Sequence, residues 1–275
     1  MNDVKIIEQD SSALVAQERA AIDSQIATAK MYPRDLMRVK DNCIAIVSMD
    51  KETAISCRYA KPQGGRQITG ESVHLARIVA QQYGNIRVQQ RIREVGQREI
   101  VAEAVAHDLE TNIAVSVEAR RSIVDRNGKR YPDHMINTTA MAALAIAERN
   151  AILKVIPKGL VTAIYEAAFK TANGDLSDEQ KVLKAKKSAV EYLNKKYGAE
   201  MKDILHALGL RSENQIDAEQ IANLRAFTQS LIDNEITADE LFGWKKAKTE
   251  APDPLNSNKK TEEKPKDLFK NEAKN

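Results

Sequence analysis

Residues 86–95, 99–108 and 113–124 are three consecutive runs of β-favouring residues, split only by Gly96-Gln97 and by residues 109–112 (LETN). Connections this short join only antiparallel neighbours, because a parallel crossover needs a dozen or more residues. The chain must therefore contain an antiparallel meander, and such a sheet buries one face and leaves the other to solvent. In residues 86–95 the period of two sets Ile86, Val88 and Ile92 on one face and Arg87, Gln89, Arg91 and Arg93 on the other. The third run ends in Arg120-Arg121, and the loop at 125–130 (DRNGKR) adds Arg126, Lys129 and Arg130 around an Asn-Gly turn. Two readings stand side by side. The arginines form a surface for a polyanion, or they form a solvated face neutralised across strands by Glu94, Glu99, Glu103 and Glu118.

After the meander comes an Ala-rich segment, read as a long helix over 134–155 that stops at Ile156-Pro157. Its small residues suit close packing on a sheet. Arg149 stands out, because its helical neighbours Ala142, Ala145 and Ile152 make an apolar stripe. A charge on that stripe must be paired or must border a groove that carries anions. Thr138, Ala142, Ala145 and Arg149 outline a low strip along which a phosphate backbone could pass, with Lys154 and Lys158 further along.

Elsewhere the pattern predicts a helix from Asp10-Ser11-Ser12 to Met31, closed by Tyr32-Pro33, and a β-hairpin over 43–59 around Asp50-Lys51-Glu52. Further helices are predicted over 71–83, stopped by Gly84, and over 160–171. A break at Ala172-Asn173-Gly174-Asp175 opens a set of short helices with caps at Ser177, Asp217 and Thr237. Beyond Trp244 the composition is that of a disordered tail, with one apolar island at Lys266-Asp267-Leu268-Phe269. The expected class is α+β, an antiparallel meander packed on a long helix. The expected divisions are an N-terminal helix (1–34), an α+β core (35–172), a helical module (173–244) and the tail (245–275).

A glycine-rich stretch at 61–72 (KPQGGRQITGES) nearly matches a nucleotide-binding P-loop, Gly65 and Gly70 having the right spacing. Glu71 occupies the place of the lysine, and a carboxylate there repels the phosphates it should hold. ATP hydrolysis at this loop is excluded on charge. What remains is a turn whose Thr69 or Ser72 caps the next helix, or a basic hinge whose Lys61 and Arg66 meet a polynucleotide phosphate beside a helix N-terminus.

With 275 residues the chain can build a large domain and a smaller one. A composition 43% hydrophobic and 29% charged fits a folded protein rather than a disordered one, and a net charge of +3 permits an acidic partner without demanding it. Cys43 and Cys57, read as lying in a strand pair, make no disulfide framework and suit a reducing compartment. No apolar run approaches the roughly 18 residues of a membrane span, and the polar N-terminus does not read as a signal peptide, so the expected location is cytoplasmic. The four histidines lack metal-ligand spacing, and no G-x-S-x-G sequence or carboxylate cluster argues for a hydrolase or nuclease. His107-Asp108 reads as a turn-flanking pair rather than an acid–base couple. A non-enzymatic binding protein without cofactor is expected.

Three antiparallel strands, a basic loop and a long small-residue helix with one arginine and a terminal proline resemble the phage single-strand annealing proteins, the RecT and Red beta recombinases. Ala147-Glu148-Arg149-Asn150-Ala151-Ile152 is similar to a helix segment of Red beta, and Leu153-Lys154-Val155-Ile156-Pro157 to a helix end in RecT. The resemblance spans about residues 35–165. It departs from the RecT pattern in its aromatic content, which is 4%, so stacking of bases on an aromatic platform is not an evident binding mode.

The resemblance implies ATP-independent binding of single-stranded DNA in a positively charged groove between sheet and helix, annealing of complementary strands, and assembly into rings or helical filaments. It implies that Arg149 is a phosphate ligand and Lys154 a weaker one. It also implies that the C-terminal region contacts a host single-strand-binding protein or a phage exonuclease. Lys61, Arg66, Arg91, Arg120, Arg121, Arg126, Lys129 and Arg130 are the remaining DNA-binding candidates. A structural or regulatory oligomer without DNA function is the alternative.

Overall fold

Proline and two capping aspartates divide the first sixty residues. The computed structural model describes residues 11–63, 66–125, 127–174 and 179–244. Gly64, Gly65, Arg126, the expected cap Ser177 and the tail from 245, with its apolar island, lie outside the described residues. Helix α1 (Ser11–Met31) ends before Pro33 as expected. The predicted hairpin at 43–59 is instead occupied by two helices, α2 (Leu36–Val47) and α3 (Lys51–Ser56). Asp35 caps the first through Oδ1, which accepts from the backbone N–H groups of Met37 and Arg38 at 2.9 and 3.2 Å. Asp50, read as a turn residue, caps the second by accepting from the N–H of Thr53 at 2.8 Å.

A short apolar run such as Cys43 to Val47 satisfies either period. The deciding signal is the spacing of four between Val39, Cys43 and Val47, the three residues that α2 buries. Cys43 and Cys57 are consequently not cross-strand neighbours but buried free thiols. Burial pushes them up to about 11 and about 12, so they are inert as nucleophiles.

The glycine-rich stretch is also a correction. It forms a β-hairpin, β1 (Arg58–Gln63) paired antiparallel with β2 (Arg66–Glu71), rather than a loop or hinge. Helix α4 (Val73–Tyr83) follows directly, and Ser72 caps it by accepting from the N–H of Leu75. Gly70 stands opposite Tyr59 in the register, and a Cβ built on it would lie 2.9 Å from a Tyr59 ring carbon. Its function is to leave room for an aromatic ring, not for a phosphate.

The meander forms as expected. Strands β3 (Ile86–Val95), β4 (Glu99–Asp108) and β5 (Ile113–Ser122) make one antiparallel sheet in that order, with a bulge between Ile92 and Glu94. Helix α5 (Asp133–Val155) lies across its inner face. Ile100, Ala102, Ala104 and Ala106 of β4 meet Ala143, Ala147 and Ala151 of α5 in one buried cluster. Alanines on both sides bring helix and sheet into direct contact. The groove expected between them is therefore filled by core.

Helices α6 (Lys158–Asn173), α7 (Glu179–Tyr197), α8 (Met201–Leu208), α9 (Ala218–Ile232) and α10 (Ala238–Phe242) complete the chain, with a 3-10 turn at Glu213–Gln215. Asp217 and Thr237 cap α9 and α10 as predicted. The chain turn at 173 is no packing boundary. Ala60 of the hairpin is buried in the cluster of Phe227, Leu224 and Leu193, and the chain is one unit through Trp244. Ala60 N–H donates to Ser230 Oγ at 3.1 Å and Arg58 to Asn223 Oδ1 at 2.9 Å, so the hairpin is held by α9. Residues 1–34, expected as a separate helix, are tied on by Arg34. Its Nη2 lies 2.6 Å from Asp108 Oδ1, its Nε 3.0 Å from Glu110, and its guanidinium 3.7 Å over the Tyr83 ring.

Candidate nucleic-acid interface

The outer face of the sheet presents the alternating arginines, and the cross-strand register decides their charge. Arg91 stands opposite Glu103, and Glu103 opposite Glu118. Arg91 Nη2 lies 2.8 Å from Glu103, Arg93 pairs with Glu118, and Arg120 lies 3.2 Å from Glu99 and 3.7 Å from Glu118. Near the start of β3, α1 covers the face, with Glu18 at 3.2 Å from Arg87. The neutralised reading holds for Glu99, Glu103 and Glu118. Exposed pairs of this kind add only about 0–1 kcal/mol each, but they leave little net field, so Arg91 and Arg120 do not build a cationic platform.

At the end of the sheet, Arg130 Nη1 donates to the carbonyls of Gly96 and Gln97 at 2.6 and 3.1 Å. It closes the β3–β4 turn against the loop in which Gly128 takes φ +78°. Lys129 is exposed beside it, and Lys154 is exposed on the last turn of α5. Arg130 is held at the β3–β4 turn, the end of the sheet where Arg120 meets Glu99. Arg66 is placed on β2, opposite Gln63.

The third group does converge. Lys61 of β1, Arg121 of β5 and Arg149 of α5 line an open groove of about 420 Å³, together with Tyr59, Pro62 and Ile146. Its far wall is the turn after α9, which contributes Glu235 and Ile236, and α10, which contributes Glu240. Arg149 does not face solvent as expected for a phosphate ligand. Its Nη1 donates to both carboxylate oxygens of Glu235 at 2.9 and 3.1 Å, and its guanidinium lies 4.3 Å over the Tyr59 ring. Arg121 donates to the main-chain carbonyl of Glu235 at 2.7 Å. Lys61 is the exposed cation of the three.

Compared with known proteins, the chain matches no family model, no curated protein and no solved structure. The functional reading therefore comes from this geometry.

Neighbouring charges on α5 are used in opposite directions. Glu148 pairs with Arg77 of α4 at 2.7 Å, while Arg149 reaches the turn after α9. Sequence reasoning missed Tyr59 and Glu235, the two groups that fix Arg149. Glu235 lies in the turn after α9, where nothing in the local sequence pattern announces a buried charge. His107 and Asp108 each have a side-chain partner. Asp108 holds Arg34, and His107 Nε2 lies 2.9 Å from Asn112 Oδ1. Among the described residues no group of three or more His, Cys, Asp or Glu is placed to hold a metal. Among them, too, no helix is long and apolar enough to cross a membrane.

Proposed function

We propose that this chain binds single-stranded DNA through the groove beside α5 and anneals complementary strands without ATP. The observation that supports it best is the gathering of Lys61, Arg121 and Arg149 from β1, β5 and α5 into one open channel. Phosphates passing along it would meet Lys61, the exposed cation, while Arg121 and Arg149, held by Glu235, would add longer-range positive charge. Tyr59, Pro62 and Ile146 offer an apolar wall to sugars and bases. Backbone contacts carry affinity without sequence preference, and Watson–Crick pairing supplies the specificity of annealing. The sequence resemblance of residues 147–157 to helix segments of the phage annealing proteins is read in the same direction. Self-assembly into rings or filaments, a cytoplasmic location and a docking role for the C-terminal helices belong to the same proposal.

The test is fluorescence anisotropy of a labelled oligonucleotide across a salt series, followed by annealing of complementary oligonucleotides without ATP. Affinity falls with salt at a log–log slope of about −0.7 per phosphate contacted. Lys61→Glu weakens binding and flattens that slope, whereas Arg91→Ala on the paired outer face changes neither. Absent or salt-independent binding would sink the reading. The arginines already neutralised on the sheet would then favour a structural or regulatory oligomer without DNA function.

A further inference from the structure

A second groove, of about 680 Å³ and more open than the one at Arg149, is walled by α3, α7 and α9 and shares no lining residue with it. Its size is that of a small-molecule site. Lys51, Lys184 and Arg225 enter it from three different helices, against one lining carboxylate, Glu52. Arg225 Nη1 donates to the Ala172 carbonyl at 2.8 Å, and burial holds its guanidinium below the usual range with no acid side chain offsetting the loss of water. Lys51 is pulled down likewise, by burial first and then by the Arg225 charge. Half-buried Arg225 has no paired carboxylate, and an anion seated beside it and the exposed Lys51 and Lys184 offsets its loss of water.

The rest of the wall suits a ligand with a flat apolar part. Tyr192 and Ile232 line the groove and keep 38% and 46% of their surface exposed, while Ser188 and Thr228 add hydroxyls. A bare inorganic anion would leave this side unused.

We propose that this second groove binds a nucleotide monophosphate unit, its phosphate among Lys51, Lys184 and Arg225 and its base against Tyr192 and Ile232. The unit is either a free nucleotide or one residue of a DNA strand, since both present the same phosphate and ring. The inference goes beyond the annealing reading and does not rest on it. A chain that binds the mononucleotide but no oligonucleotide overturns that reading alone.

Isothermal titration of the full chain with dTMP tests the site, with thymidine as the uncharged control and inorganic phosphate as the charge-only control. The expected result is saturable dTMP binding, no thymidine binding, and phosphate at least tenfold weaker. The double variant Lys51→Glu/Lys184→Glu, which changes two exposed side chains, lowers dTMP affinity at least tenfold. If circular dichroism shows that this variant does not fold, Lys184→Ala and Tyr192→Ala carry the same test with smaller losses. No saturable dTMP binding, thymidine binding equal to dTMP, or unchanged affinity in the folded variants overturns the proposal. Displacement of dTMP by oligo(dT) assigns the bound unit to a strand, and retention in its presence assigns it to free nucleotides.

Discussion

Arg149 and Glu235 are 86 residues apart in the chain and meet in a two-pronged ion pair, with Nη1 at 2.9 and 3.1 Å from the two carboxylate oxygens. Their side chains keep only 9% and 5% of their surface exposed. The pair joins the long helix to the turn after α9, and Tyr59 seals it from the hairpin side. Its placement changes what Arg149 does. The guanidinium is committed to the fold before any phosphate arrives.

Arg149→Ala therefore destabilises the protein. Removing one partner of a buried pair strands the other charge, at a cost of about 3–5 kcal/mol. Urea unfolding of the variant shows this as a lower midpoint with an unchanged slope. A wild-type midpoint would mean that Glu235 finds water once its partner is gone.

Gly70→Val strikes the same assembly from behind. The added side chain collides with the Tyr59 ring, which lies 2.9 Å from a Cβ at that position. Overpacking of this kind costs about 1–3 kcal/mol. The expected outcome is a lower melting temperature, with the loss largely absent in Gly70→Val/Tyr59→Ala, where the ring is gone.

Asp108 sets an acid limit on stability. Burial alone would raise its carboxyl, but the two hydrogen bonds from Arg34, with the N–H of Glu110 and the nearby cation, bring it down to about 2. A depressed carboxylate stabilises the fold above its unfolded value near 4 and loses that contribution as pH falls towards 2. Unfolding measured between pH 5 and 2 should fall more steeply for the wild type than for Asp108→Asn, which starts lower and stays flatter.

His74 works in the opposite direction. Its Nε2 lies 2.9 Å from Asp233 Oδ1, and that contact outweighs burial and the Arg77 charge to raise the imidazole above its ordinary range. A raised base stabilises fully below about 6.5 and loses that contribution as pH rises through the folded value. The stability gap between wild type and His74→Gln should be open at pH 6 and narrow by pH 9. An NMR titration of the imidazole below 6.5 would contradict the assignment.

Much of the local structure was legible in the chain. Short connectors between β-rich runs forced the meander, its alternation set Ile86, Val88 and Ile92 inward, and Asp217 and Thr237 announced their helices. The hairpin expected at 43–59 failed because a short apolar run fits a period of two as well as one near four. The run took the helical period once α4 and α6 offered it an apolar neighbour. Arg149 was legible as a residue that needed a partner, but not which partner.

What the sequence determined by itself are properties of neighbours along the chain: strand pairing through tight turns, caps, apolar periodicity, and the charge conflict at Glu71 that rules out a nucleotide loop. What only the tertiary structure decided are properties of residues far apart in the chain. It paired the face arginines with Glu99, Glu103 and Glu118, and it spent Arg149 on Glu235. It also drew Lys51, Lys184 and Arg225 around one groove. The physical reason is range. Turns and caps are settled by contacts within a few residues, whereas a charge is neutralised or left seeking an anion by whichever distant element packs beside it.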